Sequence, residues 1–246
     1  MLRLSDLTTL PDDPIPLPTN NRSHPLAEQF RRFIQAESFP CVGAKSALSK
    51  GQLTIIVAKD IGSAADDLRI FTAMLGFIAT YRRNPKLFQS FAVVFDDAAH
   101  GSEEEFERHL WARVQSLCDN DARLGHPWDN RVASDADNPH FSLSVAGEAF
   151  FVVGLHPQAS RPARRFRSSA LVFNLHDQFE RLRADGRYEK LRATILERDE
   201  ALAGSINPML MRHGELSEAR QYSGRLVDDD WRCPFHASHS ASAPRG

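Results

Sequence analysis

The sequence predicts an α+β domain: one mixed β-sheet packed by helices, with a long structured C-terminal loop region. Three observations lead there. Apolar runs of strand length alternate with helical spacings in the order β-α-β-α-β-β-β-α-α, behind a first helix at Pro25. That order combines a possible β-α-β crossover with a hairpin, a combination that argues against a doubly wound parallel sheet. No Gly-x-Gly-x-x-Gly or P-loop opens any helix, so dinucleotide and nucleoside-triphosphate folds have no support.

Each element has a local reason. Pro25 suits the first turn of a helix whose inner face is Leu26, Phe30, Phe33 and Ile34. Leu53 to Val57 is a strand rich in β-branched residues. Leu68, Phe71, Leu75 and Ile78 mark a helix by their spacing. Phe91 to Phe95 is the next strand, ended by Asp96 and Asp97, which read as a turn cap. Ser102 and Glu105 form a capping box ahead of the core face Phe106, Leu110, Val114 and Leu117. Residues 125–139 are polar and turn-rich, a loop. Phe141 to Val145 and Ala149 to Leu155 pair as a hairpin around Ala146, Gly147 and Glu148. Ala170 to Phe173 is a further strand. A short helix from His176 to Ala184 is closed by Gly186, and Tyr188, Leu191, Ile195 and Leu202 mark a longer one.

Composition sets the boundaries. Residues 1–22 are a proline-rich arm, 23–235 a single domain, and 236–246 a low-complexity tail expected to be disordered. Apolar residues are 42% and charged residues 25% of the 246, enough for a real core. A net charge of -2 makes no bulk case for nucleic acid or an anionic membrane. No stretch approaches the about 20 apolar residues that span a bilayer, and the N-terminus carries acidic and proline residues where a signal peptide is apolar. The expectation is a cytoplasmic protein. Cys41, Cys118 and Cys233 are odd in number and lack metal-finger spacing, so a disulfide framework is not expected.

The densest chemical signal is Gly154-Leu155-His156-Pro157, followed by Arg161, Arg164, Arg165 and Arg167. His156 leaves a buried strand, a rigid place for a metal-binding imidazole. The arginines offer planar forks for carboxylates or phosphates. One ligand and several anion clamps suit a prosthetic group carrying a metal and acids, and haem fits that description. The plain alternative is a strand leaving the core into a solvated basic loop. Residues 204–235 form a long Gly-, Pro- and Ser-rich segment. Within it Asn207, Glu215, Glu218, Tyr222 and Arg225 are polar types that orient a small charged substrate; turns and an exposed helix end are the alternative. Cys233, followed by Pro234, can present a thiolate to iron or serve as a small buried hydrophobe. Cys41 has the same ambiguity. His24, His109 and His140 carry no distinguishing pattern, and neither a Gly-x-Ser-x-Gly elbow nor His-Glu-x-x-His occurs.

The strings Phe39 to Ala44, Phe151 to Pro157, Arg161 to Phe166, Leu171 to Asn174, Gln178 to Glu180, Gly204 to Pro208, Ser217 to Arg225 and Cys233 to Phe235 together resemble the YqcI/YcgG family. The resemblance covers roughly residues 24–235. Members of that family include haem-dependent N-hydroxylases acting on guanidino amino acids, among them the pre-guanitoxin and arginine N-hydroxylases. The resemblance implies a b-type haem, O₂ or peroxide chemistry, an amine or guanidine substrate and an unidentified electron donor, with homodimer formation left open. On this reading His156 is the proximal iron ligand, with Cys233 the rival. Arg161, Arg164 and Arg165 pair with the haem propionates. Glu215 or Glu218 binds the cationic end of the substrate and Arg225 its carboxylate. Two other classes compete: a haem carrier or sensor without turnover, and a cofactor-free α+β interaction protein. A Soret band separates the last from the others, and product formation separates the first two.

Overall fold

The computed structural model describes residues 23–96, 101–207 and 214–239. The arm 1–22, Asp97 of the acidic pair, Pro208 to Leu210, and residues 240–246 of the tail lie outside the described residues. The α+β expectation holds. Five strands form one mixed sheet in the order β1-β2-β5-β4-β3: β1 (Leu53–Ala58), β2 (Ser90–Phe95), β3 (Leu143–Val145), β4 (Glu148–Leu155) and β5 (Ala170–Leu175). The helices are α1 (Pro25–Gln35), α2 (Val42–Ser49), α3 (Asp67–Arg83), α4 (Glu103–Arg123), α5 (His176–Ala184), α6 (Tyr188–Ala203) and the single turn α7 (Ala219–Tyr222).

β1 and β2 run parallel because α3 crosses between them, and every other pairing is antiparallel. β2 is buried along its whole length, so it reads as the unbroken apolar run Phe91 to Phe95. The β3–β4 hairpin turns at Ala146 and Gly147, both at positive φ (48° and 73°), the backbone twist that a two-residue hairpin needs. α4 starts as expected, with Ser102 Oγ accepting from the Glu105 amide at 3.3 Å.

Alternation along the strands separates two apolar layers. On one face Phe91, Val93, Phe150, Val152 and Phe173 pack with α3 and α4 in the main core. On the other, Ile55, Ala92, Val94 and Leu155 pack with Leu26, Phe30 and Ile34 of α1. Fully burying a large apolar side chain contributes about 1.5–3 kcal/mol, so these two layers dominate the stability.

Three places differ from the sequence expectation. α2 is an additional helix; its eight residues, Val42 to Ser49, bury only Ala47 and carry too few large apolar residues to show a period. α7 lies inside the segment read as loop, a single turn ended at Ser223. Residues 236–239, assigned to the disordered tail, lie against α4. Gln115 donates to the His236 carbonyl at 2.9 Å and accepts from its amide at 3.0 Å. The Ser238 hydroxyl donates to Asp119 at 2.5 Å. Three polar residues and Ala237 can be held without apolar periodicity when a neighbouring helix supplies the partners.

Candidate functional site

Parity along two neighbouring strands decides which side chains meet. Phe151 of β4 sits opposite Asn174 of β5, so Phe151, Val153 and Asn174 share one face, and Ser90 joins them from β2. These residues floor a cavity of about 260 Å³ roofed by α5 and α6, with Cys41 at the start of α2 on its rim. An enclosed water needs about 10–15 Å³ on a comparable measure, so the cavity is ligand-sized.

The walls are apolar: Phe88, Phe179, Leu182, Leu191, Ile195 and Leu196. The polar groups are few and concentrated. His176, the first residue of α5 directly after β5, is 2% exposed and lines the cavity. Its Nδ1 lies 3.7 Å from Oε1 of Glu180, one helical turn on, and its Nε2 lies 4.0 Å from Oε1 of Glu218. The other oxygen of Glu218 accepts a 2.7 Å hydrogen bond from Ser142. Asn174, a polar residue on a central strand, is oriented by Ser90, whose hydroxyl donates to its Oδ1 at 2.8 Å. Gln178 is tied down by its 2.5 Å bond to the Gln89 carbonyl. Arg183 and Arg192 add two cationic side chains, Arg183 lying over the Tyr188 ring at 4.5 Å. Cys41 accepts from the Ala44 amide at 3.4 Å, and burial pushes its thiol up more than that bond lowers it.

His156 is on the other side of the sheet. Counting outward from Phe151 and Val153, position 154 faces α4, and His156 does so as well. Its ring stacks on Phe106 of α4 with centroids 4.3 Å apart. It is 3% exposed and does not line the cavity. Gly154 is glycine because a Cβ there would come within 2.7 Å of Phe106 and 2.8 Å of Leu110.

The three arginines expected to clamp acids direct their donors inward. Arg164 is buried and donates to the carbonyls of Gly154, Gln221 and Tyr222 at 3.2, 2.8 and 3.0 Å, joining the β4 exit to the C-terminal segment. Desolvation lowers its pKa to about 10, and it still stays charged at neutral pH. Arg165 donates to the carbonyls of Ala159 and Ser160 in its own loop. Arg161 pairs with Asp199 of α6 and bonds Ser205. A guanidinium has five N–H donors in a fixed fork, and folded carbonyls satisfy that fork as well as a ligand acid does.

Of the predicted substrate residues, only Glu218 reaches the cavity. Tyr222 is fully buried; its hydroxyl donates to the Phe150 carbonyl at 3.0 Å and accepts from the Leu143 amide at 3.2 Å. Arg225 forms a two-pronged pair with Glu107 at 2.9 and 2.7 Å, and Ser223 donates to the other Glu107 oxygen. Glu215 is exposed on a turn and Asn207 half-buried after α6; neither lines this cavity. Cys233 packs against the main core, where burial, with Asp137 and Glu107 nearby, pushes its pKa up to about 12 despite an opposing hydrogen bond from the Phe235 amide. That environment favours the thiol, whereas iron ligation needs the thiolate. His176 was read only as a helix start. The sequence signal for it is its place two residues beyond Asn174 in an otherwise apolar strand, since positions i and i+2 share a face.

Fold and site together define an α+β domain with a ligand-sized cavity between a mixed sheet and a helical wall, and a buried histidine at a strand end. The family profile that matches the chain, over residues 30–236, is that of the YqcI/YcgG family, and the chain belongs to this family. It is similar to the uncharacterized protein YcgG of Bacillus subtilis strain 168, at 24% identity over 216 residues, 81% of each chain. No solved structure matches. Among the described residues no helix is long and apolar enough to cross a membrane.

Proposed function

We propose that the chain is a haem-dependent oxidoreductase that N-hydroxylates a small amine or guanidine, with the haem in the cavity beside His176. One observation carries this reading. Four stretches that mark the family resemblance, around Cys41, Phe151, Asn174 to Gln178, and Glu218, are far apart in sequence and converge on this one cavity.

The donor set suits the group. Among the described residues there is no cluster of three side chains able to hold a bare ion. A b-type haem brings its own four nitrogens and asks the protein for an axial ligand, apolar walls and partners for two propionates. His176 offers the ligand, the leucine and phenylalanine walls the apolar surface, and Arg183 and Arg192 the cations. Bound haem supplies two-electron activation of O₂, one oxygen entering an N–H bond and the other leaving as water, with an external donor providing the electrons.

The protein's own residues orient and exclude. The apolar roof of α5 and α6 keeps water out. Glu180 and Glu218 place carboxylates 3.7 and 4.0 Å from the His176 ring nitrogens, and a carboxylate beside a ligating imidazole raises its basicity. Glu218 also supplies the negative charge that a cationic nitrogen seeks. Titration with ferric haem tests the assignment: a stoichiometric Soret band in the parent protein, lost in His176→Ala and kept in His156→Ala. A haem-loaded protein that gives no product heavier by one oxygen from any amine or guanidine tested is a carrier or sensor instead. Absence of haem uptake overturns the proposal.

A further inference from the structure

We infer that α6 is a movable wall of this cavity, latched shut by the Arg161–Asp199 ion pair. The inference concerns access to the cavity and does not depend on which ligand it holds. α6 contributes Tyr188, Leu191, Arg192, Ile195 and Leu196 to the cavity lining. It is nevertheless poorly anchored: of its sixteen residues only Asp199 is buried, whereas α3 buries eleven of seventeen. The helix borders open space on two sides, with Leu191 lining both. One is the cavity of about 260 Å³; the other is a second cavity of about 370 Å³ between the start of α6 and Val42, Phe88 and Leu182. Buried apolar contact is what gives a helix its local stability, so a helix between two cavities opens at lower cost than one set into the core.

The ends fit a hinged element. α5 and α6 meet at Gly186, and α6 ends at Gly204; both have positive φ (67° and 73°), a conformation that glycine reaches without strain. What holds the far end is polar. Asp199 pairs with Arg161, whose guanidinium also donates to the hydroxyl and carbonyl of Ser205 at 3.0 Å each. Arg161 itself stands on a rigid base, because Arg164 and Arg165 fasten its loop to neighbouring carbonyls. The arrangement is a loop-mounted cation gripping one carboxylate of an underpacked helix. Releasing that grip lets the far end of α6 swing about Gly186 and uncover the cavity.

Hydrogen–deuterium exchange on the full chain reads this directly. Amides of 188–203 are expected to exchange roughly tenfold or more faster than those of 67–83, and Asp199→Asn to speed the 188–203 amides by roughly tenfold again while leaving 67–83 unchanged. Ferric haem uptake by Asp199→Asn should be faster than by the parent. The charge-reversed pair Arg161→Asp with Asp199→Arg should restore slow exchange, which a general loss of stability would not do. Exchange in 188–203 as slow as in α3, or unchanged in Asp199→Asn, overturns the inference. So does a double variant no slower than Asp199→Asn. If none of these proteins takes up haem but the exchange pattern appears, the movable wall stands and the haem proposal falls.

Discussion

Nε2 of His176 lies 4.0 Å from Oε1 of Glu218, joining the β5–α5 turn to the C-terminal segment across the cavity. Both residues are buried, at 2% and 5% exposure, and Ser142 fixes the far side of the carboxylate. The pair stands in a chamber whose walls are mainly apolar, and it yields the first prediction. Glu218→Gln keeps the Ser142 hydrogen bond, since an amide oxygen also accepts, but removes the charge. Haem loading should persist, and the spectral shift caused by arginine should need roughly ten- to a hundred-fold more ligand, the equivalent of about 1.5–3 kcal/mol for a charge-assisted bond. An unchanged affinity removes Glu218 from substrate binding.

Arg164 and Arg165 are neighbours with unequal roles. Arg164→Leu leaves three carbonyls without their buried donor. At about 1 kcal/mol or more for each it should cost about 3 kcal/mol. Arg165→Leu disturbs only a half-exposed loop bond pair and should cost about 1 kcal/mol or less. Urea denaturation of the two variants provides the comparison; equal losses contradict the bridging role of Arg164.

Gly224 sits at φ +85°, and a Cβ there would come within 2.5 Å of Arg164 Cδ. Gly224→Ala therefore meets backbone strain and a collision with the buried bridge together. A loss of about 2 kcal/mol or more is expected, again by urea denaturation. A loss of a few tenths would mean that the Arg164 bridge yields freely.

The end of the described chain should respond to pH. His239 lies 3.0 Å from Oδ2 of buried Asp121 and 3.6 Å from the Cys118 sulfur, and these contacts, Asp121 first, raise its pKa to about 9. Burial alone would raise the Asp121 carboxyl, but hydrogen bonds from His126, His239 and the Ala146 amide hold it below the usual carboxylate range. A raised histidine stabilises fully below its unfolded pKa of about 6.5, and that contribution is lost as pH rises through about 9. The lowered Asp121 stabilises above its unfolded pKa of about 3.9 and loses that contribution as pH falls through its folded value. Trp128, whose ring is edge-on to His239 at 5.1 Å, reports the change. Its fluorescence should titrate with a midpoint near pH 9, and the transition should vanish in His239→Ala.

The secondary structure was largely legible because it rests on local terms. The unbroken apolar run Phe91 to Phe95, the spacing of Leu68, Phe71, Leu75 and Ile78, and the Ser102 cap each declare their element without reference to the rest of the chain. α2 was not legible because its eight residues, with Leu48 the one large apolar side chain, carry no period; its place comes from Phe88, Phe39 and the sheet around it. The ordered stretch 236–239 was not legible because its partners, Gln115 and Asp119, lie on a helix more than a hundred residues earlier.

The sequence by itself determined the family, the mixed α+β order and the presence of a strand-end histidine beside basic residues. It could not say which strand-end histidine faces a cavity. That depends on register: with Phe151 opposite Asn174, His176 falls on the open face and His156 on the face filled by Phe106. Successive side chains alternate, so one residue of offset exchanges the two outcomes, and offset is fixed only when strands pair. Nor could composition say whether an arginine fork would meet a ligand or a backbone carbonyl. Arg161, Arg164 and Arg165 meet partners brought in by α6, the C-terminal segment and their own loop, and only the folded chain places those acceptors within reach.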